Sequence, residues 1–535
     1  MSLSFQCTGH IGILEITINL FNNILFPDNL LIFQGWNDVG FHGANDVSTP
    51  NIDALAYSGL ILNSHYSEAI CTPSRAALLT GKYPIHTGTQ HGVIMEGAPW
   101  GLPLDQKLLP QYLNKLGYSS HAFGKWHLGY YRKEYTPTYR GFKTHYGFWN
   151  GYQDYFSHIV QFAPFEGFDM RRNMTVDWSS IGHYTTRLIT KEIARVVRSH
   201  NASNPLFLYV AHLAVHAANY EVPLQAPQSS IDKFKHLEPV ERRIYAAMLW
   251  ELDQSLGKLV QEFKDKGILD DTIIVFLSDN GAATKGLHKN HGSNWPLKGE
   301  KITPWEGGLR TVSFVWSPIL KRKKQVLNNL MHITDWLPTL FTAAGGNRNK
   351  LGDIDGVDQW DFLNGNSVSP RNEILHNIDD AYGYSALRSG EYKYVNGSAI
   401  FGHLDNWVGR LRNNSYPYDV SSIVGSVVNR ITGDLEDILE IEGLRMNATV
   451  VCSKTGQRWG KVACRPMKRP CLFNIAEDPC ERVDLWGRYP EKVAEFEEKL
   501  KTYRRSVTPP GNKRVESKAN PCLHNNTWTD WADYD

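Results

Sequence analysis

The chain has 535 residues, 42% hydrophobic and 21% charged, close to the globular average, which excludes a disordered chain. Its 56 Lys and Arg balance 55 Asp and Glu to a net charge of +1, without the basic excess of a general nucleic-acid binder. No run of 18 or more uncharged apolar residues occurs, so no membrane-spanning helix is expected.

Residues 1–74 contain no Lys or Arg. The apolar stretch Ile11–Phe26 is interrupted by Glu15, Asn19, Asn22 and Asn23 and has no positive start, so no convincing signal peptide is read. From residue 100 to 345 helical and strand patterns alternate. Leu104, Leu108, Leu109, Tyr112 and Leu116 predict a helix before Gly117. Leu188, Ile189, Ile193, Val196 and Val197 predict a second, and Ile244, Met248, Leu252, Leu256, Leu259 and Phe263 a longer third ending near Gly267. Between them, Leu206–Val210 and Thr272–Leu277 read as buried parallel strands of an α/β sheet. Ligands bind beyond the carboxyl ends of such strands, so the following loops hold the candidate site.

Near Asp379 the texture changes. Ser385–Gly397 reads as a hairpin, Glu491–Tyr503 as a final helix, and the basic stretch beyond it, with Pro509 and Pro510, as an extended tail. Cys452, Cys464, Cys471, Cys480 and Cys522 crowd this part and read as disulfides. Cys471 with Cys480, and Cys452 with Cys464, are pairs the spacing suggests without fixing them. The spacing of a structural zinc site is absent. Six N-x-[ST] sequons, at Asn173, Asn201, Asn396, Asn413, Asn447 and Asn525, suit a glycoprotein outside the cytoplasm.

Two segments carry the chemistry. Cys71-Thr72-Pro73-Ser74-Arg75 precedes the helical run Ala76–Gly81, and Gly124-Lys125-Trp126-His127-Leu128-Gly129 follows. Lys125 and His127, two apart, point to one side of an extended segment. These segments resemble the two sulfatase signatures, with Phe123 where a smaller aliphatic residue is usual. The resemblance implies that Cys71 is oxidised by the formylglycine-generating enzyme. The resulting aldehyde hydrate offers one hydroxyl to attack sulfur and another to expel sulfate. It implies catalytic roles for Cys71, Arg75, Lys125, His127 and His216. Lys125, His216 and Lys301 would bind substrate, with Lys298 a nearby rival of Lys301 and His212 a structural neighbour. Asp279, Asn280 and the residue at Cys71 would hold Ca²⁺, with Mg²⁺ the alternative; hard cations suit such oxygen donors.

The resemblance runs from about Gly35 to the tail. Gly35–Gly43, Thr87–His91, Asn294–Leu297 and Leu375–Asp379 look most like the arylsulfatase B group, the N-acetylgalactosamine-4-sulfatases. It implies an alkaline-phosphatase-like α/β/α sandwich over residues 35–379 and a smaller C-terminal antiparallel-sheet domain over 380–535, after an atypical segment 1–34. The expected substrate is a sulfated glycosaminoglycan or an aryl sulfate, and the expected location lysosomal or secreted, with no nucleic acid and no membrane span.

One departure stands out. The family has Asp-Asp two residues before this Gly35, both metal ligands; here the residues are Ile32 and Phe33, then Gln34. Asp28 is too distant, and Asp38 is not the ligand position. A miscoded N-terminal segment is one reading. The other is a catalytically impaired relative that binds sulfated glycans without cleaving them. A phosphoester or phosphonate hydrolase of the same superfold is a third.

Overall fold

The computed structural model describes residues 34–286, 288–405, 416–452 and 463–534, with the backbone of two short strands at Ile18–Asn19 and Asn29–Leu31. Asp28, Ile32, Phe33 and the sequon at Asn413 lie outside the described residues.

The predicted apolar runs form the centre of a large mixed sheet. Leu206–Ala211 and Thr272–Leu277 are buried at every position, as strands covered on both faces must be. Parallel strands run in the order Thr144–Phe148, Ser119–Lys125, Leu206–Ala211, Asn29–Leu31 and Thr272–Leu277. Ser313–Trp316 then joins antiparallel, followed by Leu60–Leu62 and Gln325–Leu327. Helices pack in two groups. Pro50–Ser58, Thr185–Ser199 and Val240–Lys266 form one, and Cys71–Thr80, Leu109–Leu113 and Trp336–Ala343 the other. The longest helix ends where Gly267, at φ 72°, caps it in the left-handed region. The result is the expected alkaline-phosphatase-like α/β architecture with a separate antiparallel sheet.

The helix expected from Leu104 onward is shorter. It begins at Leu109, with Pro110 in its first turn, and tightens into a 3₁₀ turn at Asn114–Leu116. Proline suits a first turn, where its missing N–H costs nothing, but not a helix interior. Leu104 is left 48% exposed outside it.

The second sheet comprises Glu373–Asp379, Tyr384–Ser389, Tyr392–Asn396 and Cys471–Asn474, all antiparallel. The final helix, Pro490–Arg504, lays Val493, Phe496 and Leu500 on Leu387, Tyr394 and Leu472. The disulfides are Cys452–Cys480 and Cys464–Cys471, not the pairs suggested by spacing. The strand Cys471–Asn474 carries the chain away from Cys471, so Cys480 meets a partner from another segment. Beyond the helix the tail runs back over the main domain. Thr508 N–H donates to Ile85 O at 2.7 Å and Gly511 N–H to Gly88 O at 2.8 Å.

Candidate active site

The carboxyl ends of the central strands converge on Cys71. This residue begins the helix Cys71–Thr80 and is fully buried. A helix N-terminus offers free N–H groups and a partial positive charge, which suits an anion. Lys301 hydrogen-bonds Cys71, and the charges of Arg75 and Lys125 are felt there as well. Lys125 arrives at the end of its strand after Gly124, which sits at φ 81° against Ala211; a Cβ there would lie 1.6 Å from the Ala211 carbonyl oxygen. Glycine is therefore required for the strand to deliver the lysine.

Arg75 lies one helical turn behind Cys71. Its Nη1 donates to Lys125 O at 3.1 Å and its Nη2 to Asp279 Oδ2 at 3.2 Å. Asp279 and Asn280 follow the strand Thr272–Leu277, and Ser74 Oγ donates to the Asp279 carbonyl. The signature helix and the Asp-Asn turn are thus fastened together from both backbone and side chain.

The two histidines are held in defined tautomers. His127 takes a left-handed φ of 57° and packs against Gly151, where a Cβ would come within 2.7 Å of its Cε1. Its Nε2 lies 3.1 Å from Ile94 O, so that nitrogen holds the proton, and the buried Nδ1, without a hydrogen-bond partner, carries the lone pair. Thr72 Oγ1 donates to His127 O at 3.0 Å, tying this histidine to the turn of Cys71. His216 places Nδ1 2.6 Å from Ala217 O and Nε2 3.1 Å from Lys301 Nζ. Its Nδ1 therefore donates to the carbonyl, and its Nε2 accepts from the lysine.

Burial dominates the electrostatics. Desolvation pushes both lysines below their ordinary values, with their like-charged neighbours adding to the effect. His127 and His216 are held far below the usual histidine range, first by burial and then by the cations around them. Asp279 is raised by burial despite Arg75, Lys125 and Lys301. Three cations face one carboxylate in a buried pocket, an arrangement suited to an anionic ligand.

Asp279 Oδ1, Asn280 Oδ1 and Gln34 Oε1 are all buried and accept no hydrogen bond. Ser278 Oγ joins their turns, accepting from Gln34 N–H at 3.2 Å and donating to Asn280 O at 2.7 Å. Oxygens left in this way suit a hard cation. Among the described residues, however, no group of three or more His, Cys, Asp or Glu could hold one. Ca²⁺ usually takes about six to eight oxygens, several of them carboxylates. The described residues therefore do not make a full Ca²⁺ set.

The neighbouring residues have other partners. Lys298 lies 3.3 Å from the centre of the Trp305 ring, and His212 Nε2 is 3.0 Å from Ser255 Oγ. Asp38 joins Arg242 and Tyr245 at 2.6 and 2.7 Å and accepts from Gly35 N–H. Sequence reasoning missed two residues. Glu96 is buried near His127, its carboxyl pushed up by burial to about 7. His288 stands with its ring 6.2 Å from that of His216. Neither sits in a motif, and only the folded proximity reveals them.

A sheet whose strand ends gather a buried cysteine, an arginine, two lysines and two histidines defines a hydrolase of an anionic ester. The chain belongs to the sulfatase family: the family model, described as Sulfatase, matches residues 33–346. It is 38% identical over 518 residues to arylsulfatase J of Mus musculus, covering 93% of this chain and 78% of that protein. It is 32% identical over 360 residues to human N-acetylgalactosamine-6-sulfatase, covering 62% of this chain and 65% of that one. A crystal structure of Ps i-CgsB in complex with k-i-k-neocarrahexaose is similar at a TM-score of 0.70 and 25% identity, over 93% of this chain and 96% of that one. The enzyme class is therefore that of the sulfuric ester hydrolases. These relatives do not support the narrower arylsulfatase B type. Sulfatases generally use a formylglycine and a divalent metal.

Proposed function

We propose that the protein hydrolyses sulfate esters of sulfated glycans, N-acetylgalactosamine sulfates of glycosaminoglycans among them, with the residue at Cys71 as nucleophile. The observation that carries this is the buried Cys71 at a helix N-terminus, hydrogen-bonded by Lys301 with Arg75 and Lys125 around it. Similarity to N-acetylgalactosamine-6-sulfatase supports the sugar. Two disulfides and the exposed sequons at Asn201, Asn396, Asn447 and Asn525 support an oxidising, secreted or lysosomal setting. Among the described residues no helix is long and apolar enough to cross a membrane.

Oxidised to formylglycine by its generating enzyme, position 71 supplies a hydrated aldehyde, one hydroxyl for attack on sulfur and one for release of sulfate. Lys125 and Lys301 donate to the sulfate oxygens, on which negative charge is spread in the transition state. Arg75 holds Asp279 and the strand end of Lys125 in place. A preorganised donor of this kind is often worth about 3 kcal/mol. His127, with its lone pair at Nδ1, takes the proton when sulfate is expelled. His216 faces the leaving oxygen through Nε2. It is neutral in the empty pocket, first because it is buried and then because Lys301 and Lys125 lie beside it; a bound sulfate offsets those charges, so it gains the proton it donates when substrate is present. Asp279 Oδ1, Asn280 Oδ1 and Gln34 Oε1 are the oxygens that would contact a cation.

The test is sulfate release from an aryl sulfate and from sulfated N-acetylgalactosamine by protein co-expressed with the generating enzyme. Release that disappears in Cys71→Ala supports the reading. Equal release by that variant overturns it. Retention of sulfated glycan without release supports the impaired, glycan-binding alternative, which Ile32 and Phe33 at the family's two aspartate positions favour.

A further inference from the structure

A large cavity lies away from Cys71. It is an open groove of about 920 Å³ between the helix Thr185–Ser199 and the loop before it. None of the residues assigned to the chemistry lines it. One wall is a basic stripe: Arg187, Lys191, Arg195 and Arg198 follow at spacings of four, four and three, so they share a helix face. The eleven helical steps from Arg187 to Arg198 rise about 16 Å.

Three of these guanidiniums are held from behind. Glu251 accepts from Arg187 Nε and Nη2 at 2.8 and 2.6 Å. Glu192 accepts from Arg195 Nε and Nη2 at 3.0 and 2.6 Å. Glu262 accepts from the same two nitrogens of Arg198. The glutamates are buried, whereas the arginines are 56 to 67% exposed. Each carboxylate grips one edge of its guanidinium and leaves Nη1 for a ligand. Fixing the fork in advance lowers the ordering cost of binding. With the glutamates counted, the wall has little net charge, so its attraction lies in aimed N–H donors. Such donors match a row of sulfates better than they match diffuse charge. Phe156, half-buried at the edge of the groove, adds aromatic surface for the apolar face of a sugar. The groove is also coupled to the catalytic side. Tyr184 stacks on Tyr155 at 5.2 Å, and Tyr155 Oη donates to the carbonyls of Leu213 and His216 at 2.9 Å each.

We propose that this groove is a second glycan site, which holds a run of a polysulfated polysaccharide while a different sulfate occupies the Cys71 pocket. The proposal rests on the reading of the substrate as a sulfated glycan. It is tested on the full chain by affinity for immobilised chondroitin sulfate polymer, compared with turnover of a small aryl sulfate. Lys191→Ala combined with Arg195→Lys removes one cation and one fork while leaving Glu251 and Glu262 paired. The expected result is a loss of polymer affinity of about tenfold, as for a charge-assisted hydrogen bond or two, with aryl sulfate turnover and melting midpoint unchanged. Unchanged polymer affinity overturns the proposal. So does equal binding of single-stranded DNA, which would make the groove a general polyanion surface. Because binding is read directly, absence of sulfate release by the parent protein would sink the proposed activity and leave this test intact.

Discussion

Replacing Arg75 with methionine removes a charge that the fold has buried on purpose. Arg75 and Asp279 are both fully buried, and their side chains meet at 3.2 Å. The arginine also donates to Lys125 O. Methionine keeps much of the volume, so the loss is mainly electrostatic. It leaves the Asp279 carboxylate without its hydrogen-bonding cation, and Oδ1 already accepts nothing. Breaking one side of a buried pair costs about 3–5 kcal/mol. Lys125 and Lys301 still act on Asp279, which places the expected cost near 3 kcal/mol, the lower end of that range. In the double variant Arg75→Met/Asp279→Asn the stranded charge is gone, so most of the loss should return, to within about 1 kcal/mol of the parent. The assay is urea unfolding at pH 7 with a chelator, followed by tryptophan fluorescence. A single variant as stable as the parent, or a double variant no better than the single, would refute the reasoning.

Other consequences are as direct. Lys301→Ala should lower kcat/KM for an aryl sulfate by about 10²–10³-fold, the usual effect of removing one preorganised donor, with folding intact by circular dichroism; a loss below threefold contradicts its role. His127→Ala should lower kcat by about 10²–10⁴-fold and KM little, because the base acts after the substrate is bound. Calcium titration by calorimetry should show no saturable binding below about 1 mM, weaker than most extracellular sites, and micromolar binding would show that the ligand set is larger than the described residues supply. The pH dependence follows from opposing groups. Burial lowers His42, His65, His121 and His212 to about 3 and His145 and His158 to about 4. Stability held by a depressed histidine is present above its unfolded value of 6.5 and is lost as pH falls below it. Asp53, Asp253, Glu96 and Glu481 are raised to about 7, and their contribution is present in acid and lost as pH rises through 7. Burial also lowers His127, His200, His216, His332 and His376 and raises Asp38, Glu68, Glu166, Asp169, Asp271, Asp279 and Asp478, so the two sets nearly balance and the melting midpoint should stay nearly level from pH 6.5 to pH 5. A midpoint that rises or falls steeply over that span would contradict the balance.

Part of this molecule was legible in its residues. Apolar runs such as Thr272–Leu277 must be buried strands, and the catalytic loops must follow their ends, because parallel sheets leave only that edge open. Cys71–Arg75 and Gly124–Gly129 were readable because each packs its chemistry into a few adjacent residues. Glu96 and His288 were not, since each meets its neighbours only across the fold. The disulfides eluded spacing because a strand separates Cys471 from Cys480. The Leu104 helix failed where apolar periodicity competed with the backbone limits of Pro110. The basic stripe at Arg187–Arg198 carries no signal of its own in the sequence; only the groove and the buried glutamates behind it set it apart.

The most direct test is mass spectrometry of the Cys71 peptide from protein made with the formylglycine-generating enzyme, paired with its sulfate release. The account predicts an aldehyde at position 71 and turnover that rises with the fraction converted. A thiol at that position in protein that still releases sulfate would contradict it.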